Sequence, residues 1–171
     1  MTYFDQTSER LSFRKLTAED IPAWTEFFVD NISMPYLGID VNLSKETLAR
    51  NWITGQFERY EKKGLGHLAA IDKISGEFIG LGGIIPRLLE GRNEYEIAYS
   101  LFPKFWGKGY GTELAKKMKD YGIKNIETER FISIIDKENH PSAHVAEKNG
   151  MKVLFETNYL GMDVNVYGIN I

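Results

Sequence analysis

Between residues 94 and 121 the hydrophobic pattern changes period from two to 3.6 across three closely spaced glycines, and few topologies accommodate that change. In residues 94–101, Tyr95, Ile97, Tyr99 and Leu101 alternate with Glu94, Glu96, Ala98 and Ser100, as in a strand whose two faces meet different surroundings. Tyr110, Leu114, Met118 and Tyr121 then recur at helical spacing, with Glu113 four residues before Lys117. This pattern predicts a helix over 108–121 that Gly122 stops.

The connection, Trp106-Gly107-Lys108-Gly109-Tyr110-Gly111-Thr112, is suited to holding an anion. Close glycines let the backbone approach a ligand and turn N–H groups inward, and the helix N-terminus adds partial positive charge. Lys108 can add a full charge, although the same glycines also suit a plain tight turn. A Walker A loop needs Ser or Thr after Gly-Lys, but Gly109 follows Lys108. The dinucleotide fingerprint needs a third glycine where Thr112 stands, despite an acidic Asp136 after the next strand. The third reading is acyl-coenzyme A, its diphosphate on the loop and its pantetheine arm along the preceding strand.

Around this centre the chain reads as alternating strands and helices. Leu11, Phe13 and Leu16 mark a first strand, and Thr17 with Asp20 caps a helix through Ile21, Trp24 and Phe28. Residues 32–42, with Pro35 and Gly38, read as a loop, and Ser44 caps a second helix carrying Leu48, Trp52, Phe57 and Tyr60. Trp24, Trp52, Phe57 and Tyr60 are core residues first and pocket walls second. Residues 67–71 and 77–85 form a hairpin, after which Pro86 and Gly91 bracket a loop. A buried strand over 131–135 leads to a helix capped by Asn139, with Pro141 at its first position and Asn149-Gly150 at its end. Residues 153–159 and 162–169 make a final antiparallel pair.

A chain of 171 residues with 43% apolar and 26% charged residues is expected to fold as a single domain over 1–171. The absence of cysteine excludes disulfides, thiolate metal sites and a cysteine nucleophile, and makes a reducing cytoplasm the expected compartment. Residues 1–10 lack the apolar run of a signal peptide, and no stretch approaches the ~20 apolar residues of a transmembrane helix. A net charge of −3 does not suggest nucleic acid as a partner. His140 and His144 lie four apart but lack the intervening Glu of the zincin pattern and an evident third ligand, so no metal is expected.

Residues 72–80 (Asp-Lys-Ile-Ser-Gly-Glu-Phe-Ile-Gly), 96–112 and 139–151 follow one another in an order and spacing that resemble the GNAT superfamily, in particular its ribosomal-protein N-terminal acetyltransferase-like branch. The resemblance implies an α/β GNAT fold, a mixed, mostly antiparallel twisted sheet of about six to seven strands flanked by about four helices. It also implies acetyl-coenzyme A as cosubstrate, an N-acetyltransferase activity on a primary amine, either a protein N-terminus or a small molecule, and it allows a homodimer. The family loop is usually Arg/Gln-x-x-Gly-x-Gly/Ala, which puts Gly109 and Gly111 on the small positions but Trp106 where a basic or amide residue is common. By resemblance, the backbone of Leu101 and Phe102 pairs with pantetheine, the amides of Gly107, Lys108, Gly109, Tyr110, Gly111 and Thr112 hold the pyrophosphate, and Asn139 contacts the pantetheine arm.

The chemistry then seeks a base, an oxyanion donor and an acid. Glu96 is the candidate base, with Glu94 as fallback; the alternative for Glu96 is a structural ion pair. A backbone N–H near Leu101 is the candidate oxyanion donor. The tyrosine that many family members use as acid corresponds to Ala146, and Ser142, common in the branch, is the substitute. That departure keeps open a non-catalytic acyl-coenzyme A sensor or scaffold, and, less well supported, a nucleotide-binding protein.

Overall fold

The structure is a computed structural model that describes residues 2–171. The N-terminal capping signals read above at Thr17, Ser44 and Asn139 open real helical turns. Thr17 donates its N–H to the Asp20 carboxylate at 2.8 Å, opening a short turn that leads into α1, Ile21–Thr25. The Ser44 hydroxyl accepts the Thr47 N–H at 3.1 Å and starts α2, Lys45–Lys63, which Gly64 ends in the left-handed region at φ 63°. The chain then runs through β2, Gly66–Asp72, and β3, Phe78–Leu89, after an initial β1, Leu11–Lys15. β4, Arg92–Leu101, is followed by α3, Tyr110–Asn125, β5, Arg130–Asp136, and α4, His140–Lys148. β6, Lys152–Tyr159, and β7, Met162–Asn170, complete one seven-stranded sheet in the order β1-β2-β3-β4-β5-β7-β6. All neighbours are antiparallel except β4 and β5, whose parallel pairing is made possible by the α3 crossover.

Helices cover both faces. On one, Leu114 and Met118 of α3 meet Ile84, Ile97, Leu101 and Phe131. On the other, Trp24, Phe27 and Phe28 pack with Leu48 and Ile53 of α2 against Leu81, with the Trp24 and Phe27 rings stacked at 4.1 Å. Full burial of side chains of this size stabilises by about 1.5–3 kcal/mol each.

Five expectations are corrected. Pro86 does not open a loop, because β3 continues through it to Leu89 and pairs Pro86 with Tyr95. The Ile84 N–H points away from β4, to the Tyr3 hydroxyl at 2.7 Å. Pro86, two residues on, faces the same side, beyond the end of β2 at Gly66, where no ladder requires its missing donor. Gly122 does not stop α3 but lies buried inside it, where a Cβ would come within 2.6 Å of the Phe131 ring. Glu113 ignores Lys117 and instead accepts from Ser8 Oγ, Arg10 N–H and Arg10 Nε at 2.6–2.7 Å. The helix itself begins at Tyr110, after Gly109, and Pro141 occupies the second position of α4.

Candidate active site

The parallel pair is where the sheet opens. β4 and β5 meet at Glu96 and Ile132, and the Ser133 hydroxyl closes on the Ile97 carbonyl at 2.7 Å; beyond this the strands diverge. The Phe102 N–H bonds the Ile79 carbonyl at 3.1 Å, which makes Leu101 and Gly80 a non-hydrogen-bonded pair. By alternation, the main-chain groups of Tyr99 and Leu101 turn away from β3 into the gap. The Leu101 N–H, the candidate oxyanion donor, thus turns toward the gap by register. Phe102 is different: its N–H is used by Ile79, its carbonyl by Phe105, and its ring packs on Trp24 at 5.2 Å, away from the cleft.

A cleft of about 610 Å³ follows this gap, within the ~300–1,000 Å³ usual for small-molecule sites. At one end lie Gly107, Gly109, Tyr110, Gly111 and Thr112. Gly107 and Gly109 have φ of 72° and 80°, which only glycine adopts without strain. The Glu113 N–H is used by the Gly109 carbonyl at 3.1 Å, so the preceding amides of α3 are those free to meet an anion. Trp106 fills the position of the family's basic residue with another function: its indole N–H donates to the Leu101 carbonyl at 2.9 Å. The Lys108 ammonium does not line the cleft and lies 5.7 Å from the Phe105 ring centre, while its carbonyl accepts from Arg10 at 2.9 Å. Arg10 also stacks over Tyr110 at 4.2 Å, so the N-terminal segment braces the glycine turn from outside.

Asn139 and Ser142 line the wall opposite β4. The Asn139 side chain accepts the Ser142 N–H at 3.4 Å as the α4 cap, and the Ser142 hydroxyl makes no hydrogen bond among the described residues. Ala146 is buried in the core and its methyl does not line the cleft. Tyr99, which the sequence reading left in the strand pattern, donates its hydroxyl to the Ser142 carbonyl at 2.8 Å and lines the cleft. Burial, with Glu96 second, raises its pKa and keeps it a proton donor. His140 and His144 are exposed on α4, and His144 also lines the cleft.

Glu96 lies at the far end, 7% exposed, with Oε2 accepting Arg87 Nε at 2.6 Å and Oε1 free of partners among the described residues. Burial opposes the charge on Arg87, but Glu96 outweighs it and raises the guanidinium pKa. Glu94, the fallback base, is held by Arg130 and Arg92 and does not line the cleft. The cleft wall also contains a residue the sequence reading missed. His67 is buried in the wall, its Nδ1 accepts the Trp52 indole N–H at 3.0 Å, and its Nε2 has no partner among the described residues. Burial first, then Arg59 and Arg87, push its pKa down to about 3. A lone histidine at a strand start carries no signal in sequence, because its partner Trp52 lies 15 residues away on α2. Tyr36 and Leu37 of the 32–42 loop, with Tyr159 and Met162, roof this end.

The model of the family described as "Acetyltransferase (GNAT) domain" matches residues 10–152. The Bacillus subtilis (strain 168) protein YkkB is 34% identical over 109 residues, an alignment that spans 64% of this chain and 63% of that protein. A spermidine N(1)-acetyltransferase of Escherichia coli (strain K12) is 37% identical over 62 residues, 36% of this chain and 32% of that one. The crystal structure of an acetyltransferase from Agrobacterium tumefaciens superposes with a TM-score of 0.77 at 25% identity, covering 99% of this chain and 95% of the other. With the seven-stranded sheet opened at β4 and β5 and the glycine turn at its mouth, these matches establish that the chain belongs to the GNAT acetyltransferase family.

Proposed function

We propose that the protein transfers acetyl from acetyl-coenzyme A to a primary amine by direct attack, without an acyl-enzyme. One observation carries this reading: a single cleft joins the free amides at the start of α3, the inward-facing main chain of Tyr99 and Leu101, and the carboxylate of Glu96. These residues fit the cosubstrate, because diphosphate suits a glycine cradle at a helix N-terminus and an amide-bearing arm suits unpaired strand groups. Bound there, acetyl-coenzyme A supplies an acyl carbon activated as a thioester.

The protein does the remainder. Glu96 Oε1 takes the proton that the amine must lose, directly or through water. The Leu101 N–H donates to oxygen as negative charge develops on it. Ser142 Oγ, whose proton is uncommitted, donates a hydrogen bond to the departing thiolate, which takes its proton from water. With no cysteine in the chain, a thiol acyl-enzyme is excluded.

Calorimetry with acetyl-coenzyme A and an amine-panel assay for released coenzyme A test the proposal together. Binding at micromolar concentration with turnover on at least one amine is expected. Binding without turnover on any amine would make the protein a sensor, and no binding would end the proposal.

A further inference from the structure

The acceptor end of the cleft has more positive charge than its one carboxylate balances. Arg87 spends only Nε on Glu96, and its two terminal nitrogens have no hydrogen bond among the described residues. Trp52, Gln56 and Arg59 are spaced by four and three on α2, so they share one face. That face lies on the start of β2, where the Gln56 side chain accepts the His67 N–H at 2.9 Å and the Trp52 indole holds His67 Nδ1. Arg59 is half-buried, makes no ion pair or hydrogen bond among the described residues, and acts on the site by its charge from outside the cleft lining. Burial and then Arg87 lower its pKa, which is what an uncompensated guanidinium beside a second one experiences. Because Trp52 donates to Nδ1, the proton of the neutral His67 ring sits on Nε2, a buried donor in the cleft wall.

We propose that the amine accepted here carries a carboxylate, which the terminal nitrogens of Arg87 and His67 Nε2–H bind while Arg59 supplies the excess charge. The inference rests on the acetyltransferase reading and deepens it. Two guanidiniums against one carboxylate leave a net positive, partly buried site, and an anion satisfies both the charge and the orphaned donor. A polyamine would bring further cations to Arg59 and Arg87 and leave His67 Nε2–H unpaired.

The full chain tests this with four amines: a free amino acid, its carboxamide, a peptide with an acidic first residue, and spermidine. Binding is measured by calorimetry and acetylation by coenzyme A release. A carboxylate-bearing amine is expected to bind at least tenfold more tightly than its carboxamide and to show a kcat/KM at least tenfold higher, most of it in KM. Whether the free acid or the acidic peptide leads identifies the source of the carboxylate. In Arg59→Gln the preference is expected to fall to about twofold, and Arg59→Lys is expected to restore part of it. Equal or better use of the carboxamide or spermidine overturns the inference while leaving the acetyltransferase reading intact. Selective carboxylate binding with no acetyl transfer supports the subsite and removes the reaction instead. An Arg59→Gln protein that keeps its melting temperature and its full preference also overturns the inference.

Discussion

At the scale of single residues, Glu96 and His67 show how one cleft wall pairs one ionisable group and leaves another with an unpartnered nitrogen. Arg87 binds one Glu96 oxygen, and the other remains available to a substrate proton. Replacing Glu96 with Gln keeps the shape and removes the base, so kcat should fall by about 10²–10⁴ with little change in acetyl-coenzyme A affinity. Unchanged kcat across pH 6–9 would assign Glu96 to the ion pair alone. His67 is held neutral in the fold, with its pKa depressed from 6.5 to about 3. The unfolded chain takes up a proton below its ordinary pKa and the folded chain does not, so this residue removes stability as pH falls between those two values. The loss is about 1.4 kcal/mol per pH unit, or about 2 kcal/mol between pH 7 and 5. Denaturant titrations over that interval should show this slope, and a His67→Gln protein should lose most of it.

At the scale of elements, α3 is set by two glycines with opposite functions. Gly109 takes a left-handed φ of 80° and aims the first turn at the cleft, so Gly109→Ala strains the turn by about 1–2 kcal/mol. Its acetyl-coenzyme A dissociation constant should rise at least several-fold, whereas an unchanged value would show that the turn does not set the anion site. Gly122 sits mid-helix, where alanine would ordinarily gain about 1 kcal/mol. Here the added Cβ meets the fully buried Phe131 ring at 2.6 Å, and overpacking costs about 1–3 kcal/mol. The clash wins, so Gly122→Ala should lower the melting temperature. A sequence read for propensity sees only the first of these terms, which is why Gly122 is taken for a stop.

At the scale of the whole molecule, the N-terminal segment is tied to the cofactor end of the cleft across about a hundred residues of chain. Glu113 accepts three hydrogen bonds from Ser8 and Arg10, and Arg10 reaches the Lys108 carbonyl and the Tyr110 ring. Breaking this brace with Glu113→Ala leaves partly buried donors unpaired and should cost about 1–3 kcal/mol, observable as a drop of several degrees in melting temperature. Acetyl-coenzyme A affinity should weaken as well, because the brace holds the glycine turn from outside. A variant with lowered stability but unchanged affinity would confine the brace to folding.

The sequence by itself determined most of the elements and the glycine turn, because helix caps, strand alternation and clustered glycines are local and act over a few residues. Ser44, Asn139 and the 94–101 alternation were legible for that reason. Only the tertiary structure decided the acceptor end. Arg87 on β3, Glu96 on β4, His67 on β2 and Trp52 with Arg59 on α2 come together through sheet register and helix packing. Their charge balance exists nowhere in the linear pattern, since electrostatics and desolvation depend on distance and burial in space, which only the packed fold defines.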